Sequence, residues 1–202
     1  MPDPTAENIT AIILAGGRGQ RMGGQDKGLL PLAGRPLIAH VIERIRPQVG
    51  EIVISANRNH EHYSRFGYPV FADAVPDWPG PLAGLLAGFA ATDSEWLLTL
   101  PCDIPRLPQD LAARMISATM EADAEICTVQ ASGRIQAALM LVSRRLETEL
   151  RAYIDAGGRR VQSWQEAHHR ALAEYPEVDG AFDNINTPEQ LQQLERELKE
   201  NR

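Results

Sequence analysis

The sequence has two cysteines, no excess of positive charge and no long apolar run, and each shortage removes a class of protein. Cys102 and Cys127 cannot form a stapled framework, and neither belongs to a Cys-x-x-Cys pair that would serve zinc or dithiol chemistry. Both are expected to remain reduced thiols. Lys and Arg number 20 against 27 Asp and Glu, a net charge of -7. That balance argues against a nucleic-acid partner, because a polyanion is bound by clustered cations. A small anionic ligand stays open, since it needs only a local positive pocket. No uninterrupted apolar stretch approaches the roughly 20 residues of a membrane helix, so no membrane partner is expected. Residues 1–10 lack the basic start and apolar block of a secretory signal, which leaves the cytoplasm as the expected compartment.

What is present is ordinary for a globular protein: 202 residues, 44% hydrophobic, 23% charged, mean hydropathy -0.27. This length closes one substantial core, so a single domain over 1–202 is expected. Short apolar runs at 9–14, 52–56, 70–72 and 96–100 alternate with helical-period segments at 37–45, 82–90 and 111–120. That rhythm predicts an α/β fold with a mostly parallel sheet. After residue 124 it changes: runs at 126–129 and 137–142 flank a turn at Gly133 and predict an antiparallel strand, hence a mixed sheet. A helix is predicted over 144–156, stopped by Gly157 and Gly158. A last helix is predicted over 188–199, with Thr187 as N-cap, Pro188 at the first helical position and Leu191, Leu194 and Leu198 on one face. The pair His168-His169 lacks metal-ligand spacing and is read as surface.

Small residues and prolines gather at the expected carboxyl ends of strands, where open α/β sheets place their ligand crevice. The first such loop, from Leu14 to Lys27, holds five glycines and three cations, Arg18, Arg21 and Lys27. Glycine lets backbone amides close on phosphate oxygens, and Arg and Lys neutralise the charge. The loop is not a Gly-x-x-x-x-Gly-Lys-Ser/Thr phosphate loop, because Gly28 follows Lys27. It is not a Gly-x-Gly-x-x-Gly fingerprint either, because Met22 stands where the third glycine belongs.

The stretches Leu14-Ala15-Gly16-Gly17 and Arg21-Met22-Gly23-Gly24-Gln25-Asp26-Lys27-Gly28-Leu29-Leu30 resemble the opening of the molybdenum cofactor guanylyltransferases, the MobA family. The resemblance implies a three-layer, Rossmann-like nucleotidyltransferase fold of the glycosyltransferase-A-like kind. It implies a GTP-binding half over about 8–105 and an acceptor-binding half over about 106–200. It carries nucleotide contacts onto Leu14, Ala15, Gly16, Gly17 and Lys27, then onto Ser55 and Asn57 in Ser55-Ala56-Asn57-Arg58, where Ser55 departs from the family's asparagine. Asp73 is similar to the family position for nucleotide recognition, and Gly80, Pro81 and Leu82 lie in a near-identical Pro-Gly-Pro-Leu-Ala-Gly motif at a helix start.

Pro101-Cys102-Asp103-Ile104-Pro105 resembles the family's Pro-Cys-Asp-Thr-Pro, with Ile104 the departure. Asp103, a hard oxygen donor at a strand end, is the expected Mg2+ ligand and, with Lys27 and Arg21, the expected catalytic set. Asn184 and Asn186 in Asp183-Asn184-Ile185-Asn186-Thr187-Pro188-Glu189, with Arg159 and Arg160, are expected to meet the acceptor. Strand-like alternation puts the two asparagines on one side. The substrates implied are GTP and molybdopterin or Mo-molybdopterin. Other cofactor-biosynthesis proteins and apo-molybdoenzymes are the implied partners, and the expected state is a monomer.

On this reading a molybdopterin phosphate oxygen attacks the α-phosphorus of GTP and pyrophosphate leaves. Relatives that use CTP with molybdopterin, or UTP with a sugar phosphate, tend to show Leu-Ala-Ala-Gly in the first loop and glycine in place of Cys102, so both differences favour guanine. A non-catalytic GTP-binding delivery protein is the other alternative; the presence of both Lys27 and Asp103 weighs against it.

Overall fold

Strand β1 (Ile9–Leu14) is buried on both faces, which is why its sequence runs apolar instead of alternating. The computed structural model of the chain describes residues 2–15, 25–73, 80–176 and 180–200, and in it β1 lies inside a seven-stranded sheet. The other strands are β4 (Glu51–Ser55), β5 (Val70–Phe71), β6 (Trp96–Pro101), β7 (Ile126–Ala131), β8 (Arg134–Ser143) and β9 (Arg170–Tyr175), in the order β5-β4-β1-β6-β8-β7-β9. A separate hairpin pairs β2 (Pro31–Leu32) with β3 (Arg35–Pro36). Every strand of the large sheet runs parallel to β1 except β8, which pairs antiparallel with both β6 and β7. The mixed, mostly parallel α/β sheet expected from the sequence is thus observed. Ser132 and Gly133, both at positive φ, form the two-residue hairpin turn into β8, as strand twist favours.

Two helical layers cover the sheet. Helices α1 (Leu37–Ile45) and α4 (Leu111–Ala122) bury Ile38, Val41, Leu111 and Met115 against Ile9, Ala11, Ile13 and Leu98. On the other face α3 (Pro81–Ala91), α5 (Glu147–Asp155) and α6 (Val161–Glu166) bury Leu85, Phe89, Leu150 and Trp164 against Ile12, Val53 and Leu97. Residues of β1 alternate between the two cores, the period-2 signature of a strand covered on both sides. Helix α3 comes close to β1 because Gly84 has no Cβ; one placed there would lie 2.5 Å from Leu14 Cδ2. Helix α7 (Pro188–Glu200) sets Leu191, Leu194 and Leu198 over Leu30, Leu32 and Leu37. Its start is a reciprocal cap: Gln190 N donates to Thr187 Oγ1 at 3.3 Å, while Thr187 N donates to Gln190 Oε1 at 3.1 Å.

Register places the site. Leu14 lies opposite Ser55 on one side and Pro101 on the other, and Ser55 lies opposite Phe71. Four parallel strands therefore end level, and from the adjacent ends of β1 and β6 the chain moves in opposite directions along the sheet, towards β4 and towards β7. That is the switch point where open α/β sheets bind ligands.

Arg144, just after β8, donates from Nε to Ser94 O at 2.7 Å and from Nη1 to Phe89 O at 2.9 Å, and Nη2 donates to Thr92 O. One guanidinium thus satisfies carbonyls at the end of α3, where the helix dipole also favours a cation. Arg144→Ala is expected to destabilise the protein by about 3 kcal/mol, the scale of stranding several carbonyls. Thermal unfolding should show a midpoint roughly 10 °C lower for a chain of this size; an unchanged midpoint would contradict the assignment.

Two elements depart from the expectations. Helix α6 and strand β9 lie in a stretch to which the sequence pattern assigns no element, and His168, read as surface, is packed. Its Nδ1 lies 2.7 Å from Trp164 O and its Nε2 3.1 Å from Glu149 Oε2, with only 9% of the side chain exposed. The ring joins α5 to the end of α6, whereas His169 beside it is exposed, as expected.

Candidate functional site

Asp103 emerges directly after β6 and is 7% exposed. Its Oδ2 accepts from Lys27 Nζ at 2.9 Å and its Oδ1 from Asn184 Nδ2 at 3.0 Å. Lys27 Nζ also donates to Asn186 Oδ1 at 2.6 Å. Residues separated by up to 159 positions thus form one charge-balanced cluster at the mouth of the sheet. Asn184 and Asn186 do face the same way, as alternation predicts, although residues 183–186 form no strand. They are clipped in place by Ile185 N, which donates to Asp103 O at 2.9 Å, and by the buried Ile185 side chain beneath α7.

Beside this cluster Asp73 is held by two neighbours. Ser55 Oγ donates to Asp73 Oδ1 at 2.6 Å, Asn57 Nδ2 donates to Oδ2 at 2.7 Å, and Asp73 N donates back to Asn57 Oδ1 at 2.9 Å. Ser55, where the family has asparagine, therefore orients the carboxylate and is itself 1% exposed. Ala15 N donates to Ser55 O at 2.7 Å and Cys102 N to Leu14 O at 3.2 Å, so the loops after β1, β4 and β6 are tied together at their roots.

Gly80 precedes α3 and Pro81 is its first residue. Leu82 is 1% exposed with its side chain in the core, so this position can offer a ligand only its backbone amide, one of the first-turn donors without an intrahelical partner. Arg159 and Arg160 stand between α5 and α6, both exposed; Arg159 Nη1 donates to Ile154 O at 3.0 Å and Gly158 O at 2.9 Å. Gly16, Gly17 and Arg21 lie outside the described residues.

Cys102 is buried, and burial first, then the neighbouring negative charge of Asp103 and Asp26, pushes its thiol well above the usual range. It stays protonated near neutral pH and is no nucleophile. The oxygen donors around Asp103, a carboxylate and two amides, suit a hard divalent cation. Among the described residues no group of three or more His, Cys, Asp or Glu could hold a metal, so such an ion would complete its shell with water and phosphate oxygens.

Sequence reasoning missed Asn59 and Tyr63, which hold the residue before Lys27; they sit in a polar stretch that carries no motif.

Residues 11–171 match the family model for a MobA-like NTP transferase domain. The molybdenum cofactor guanylyltransferase of Shewanella pealeana is 48% identical over 189 residues, covering 94% of each chain. That of Shewanella halifaxensis is also 48% identical, covering 92% of this chain and 93% of its own. Among solved structures, the molybdopterin-guanine dinucleotide biosynthesis protein A of Archaeoglobus fulgidus shares the fold with a TM-score of 0.78 at 20% identity, covering 95% of this chain and 99% of that one. With the family model matching most of the chain and relatives this similar along nearly its whole length, the chain belongs to the molybdenum cofactor guanylyltransferases of the MobA-like NTP transferase family.

Proposed function

We propose that the protein transfers GMP from GTP to the phosphate of molybdopterin or Mo-molybdopterin, releasing pyrophosphate, with GTP on the half formed by 8–105 and the acceptor on the half formed by 106–200. The observation that carries this reading is the Lys27–Asp103–Asn184–Asn186 cluster at the switch point. It joins a cation from the phosphate-loop side, a carboxylate from β6 and two amides from the C-terminal half.

In the reaction an acceptor phosphate oxygen forms a bond to the α-phosphorus while the bond from that phosphorus to the bridging oxygen breaks. The electron pair leaves with pyrophosphate. A phosphate dianion is already deprotonated, so no general base is required; positioning and charge stabilisation remain. Lys27 supplies positive charge to the triphosphate, joined by Arg21 and the amides of Leu14 to Gly17. Asp73, fixed by Ser55 and Asn57, addresses the nucleoside, and the backbone at Gly80, Pro81 and Leu82 offers further donors. Asn184 and Asn186, with Arg159 and Arg160, hold the acceptor.

Nucleotidyltransferases of this family typically use a divalent metal, and magnesium is the ion proposed here, held by Asp103. When bound it supplies charge neutralisation to the phosphates. Among the described residues no helix is long and apolar enough to cross a membrane. We place the protein in the cytoplasm as a monomer, delivering product to cofactor-biosynthesis proteins and apo-molybdoenzymes, with no nucleic-acid or membrane partner.

Isotope position tests the chemistry. With GTP labelled at the α-phosphorus, label should appear in the pterin dinucleotide; with the γ-phosphorus labelled, it should appear only in pyrophosphate. Label from the γ-position in the pterin would replace nucleotidyl transfer with phosphoryl transfer.

A further inference from the structure

Asp26 precedes Lys27 and is the N-cap of the short 3-10 turn Lys27–Leu29, yet its side chain does not cap that turn. The carboxylate points across the fold instead. Tyr63 Oη donates to Oδ1 at 2.5 Å, Asn59 Nδ2 donates to Oδ2 at 2.9 Å, and Arg58 Nε lies 3.5 Å from Oδ2. Arg58 Nη2 also donates to Gln25 O at 3.0 Å. The side chain of Asp26 is only 6% exposed, and a buried carboxylate is costly unless its hydrogen bonds are complete. Three residues from the loop after β4 and from α2 (His60–Ser64) supply them.

Tyr63 holds the other flank of Lys27 as well. It is 0% exposed, and a Cβ on Gly28 would lie 2.6 Å from its Oη and 3.3 Å from Cys102 Sγ. Glycine alone therefore lets the chain after Lys27 settle between the Tyr63 hydroxyl and the residue preceding Asp103. Burial first, with the hydrogen bond to Asp26 and its negative charge, raises the Tyr63 pKa, which keeps the hydroxyl a donor near neutral pH. The same loop carries Asn57, bonded to Asp73 on the nucleoside side. One short segment, residues 57–63, thus fixes Asp73 at one end and the backbone around Lys27 at the other.

We infer that Asp26, Asn59 and Tyr63 are positioning residues that set the Lys27 ammonium against Asp103 and the phosphates. None of the three touches substrate; they act through Lys27. Small displacements of a charge that stabilises a transition state lower turnover more than binding. The inference rests on the reading of the site as a GMP transferase.

The test measures kcat and the GTP KM of the full chain with magnesium, molybdopterin and GTP, beside the thermal midpoint. Tyr63→Phe removes one hydroxyl and is expected to lower kcat about tenfold while KM stays within twofold and the midpoint moves by only a few degrees. Asp26→Ala is expected to lower kcat about a hundredfold, and Asp26→Asn, which keeps an acceptor for Tyr63, should recover about tenfold of that. Should Tyr63→Phe fail to fold, the comparison of Asp26→Asn with Asp26→Ala decides. Unchanged kcat in Tyr63→Phe and Asp26→Asn, a loss confined to KM, or a loss that follows the thermal midpoint would overturn the inference. Absence of GMP transfer by the unaltered protein would instead overturn the function on which it rests.

Discussion

Replacing Asp103 with asparagine is expected to lower kcat for GMP transfer by at least about a thousandfold, more than any other single substitution considered. Asparagine keeps the size of the side chain and its oxygen acceptor, so the fold and the bond from Asn184 have little reason to fail. What disappears is the negative charge facing Lys27 and the carboxylate that would hold a divalent ion. Asp103→Ala should be equally inactive, but it leaves the Lys27 ammonium without its partner and so mixes stability with chemistry. The measurement is kcat at saturating GTP and magnesium, with the thermal midpoint recorded in parallel. Turnover within tenfold of the unaltered protein would remove Asp103 from the metal and catalytic assignments.

Lys27→Met is the second large effect. Methionine preserves much of the aliphatic stem and removes only the ammonium, which now bridges Asp103 Oδ2 and Asn186 Oδ1. If that charge is offered to the phosphates as they gain negative charge, kcat/KM should fall about a hundredfold or more, with most of the loss in kcat. If Lys27 serves only to neutralise Asp103 in the resting protein, GTP and metal would compensate and kcat would hardly change. Steady-state kinetics over a range of GTP concentrations distinguish the two. The side chain of Lys27 is 22% exposed and that of Asp103 10%, so solvent screens the pair only in part and the stability of the variant must be measured beside its kinetics.

Much of the architecture is written locally. Strands β1 and β6 are apolar runs between glycine and proline signals, and α7 has its cap and its leucine face in plain view. Strand β9 is harder to see because it pairs with β7 alone in the sheet and begins with Arg170 after two histidines, so composition at its entry suggests a loop. Helix α6 is only six residues long, too short for a helical period to emerge. The hairpin of β2 and β3 consists of two-residue strands that no periodicity can mark.

The same division runs through the site. Lys27, Asp103, Asp73 and the paired asparagines stand in motifs whose family resemblance names them. Ser55 was legible as a departure but not as the group that orients Asp73, since its partner is 18 positions away. Tyr63 gives no sequence signal at all: its value lies in a bond to a residue 37 positions earlier, and only folding brings the two together. His168 shows the opposite error, a polar residue in a polar segment that packing draws in against Trp164.

Nucleotide choice tests the central claim most directly. The purified protein is incubated with magnesium and molybdopterin and with GTP, CTP, UTP or ATP in turn, and both pyrophosphate release and the pterin dinucleotide are followed. The account predicts pyrophosphate and a guanine dinucleotide with GTP and little product with the other three. Preferential product with CTP would contradict the guanine assignment while leaving nucleotidyl transfer in place, and product with none of the four would contradict catalysis at the Lys27–Asp103 crevice.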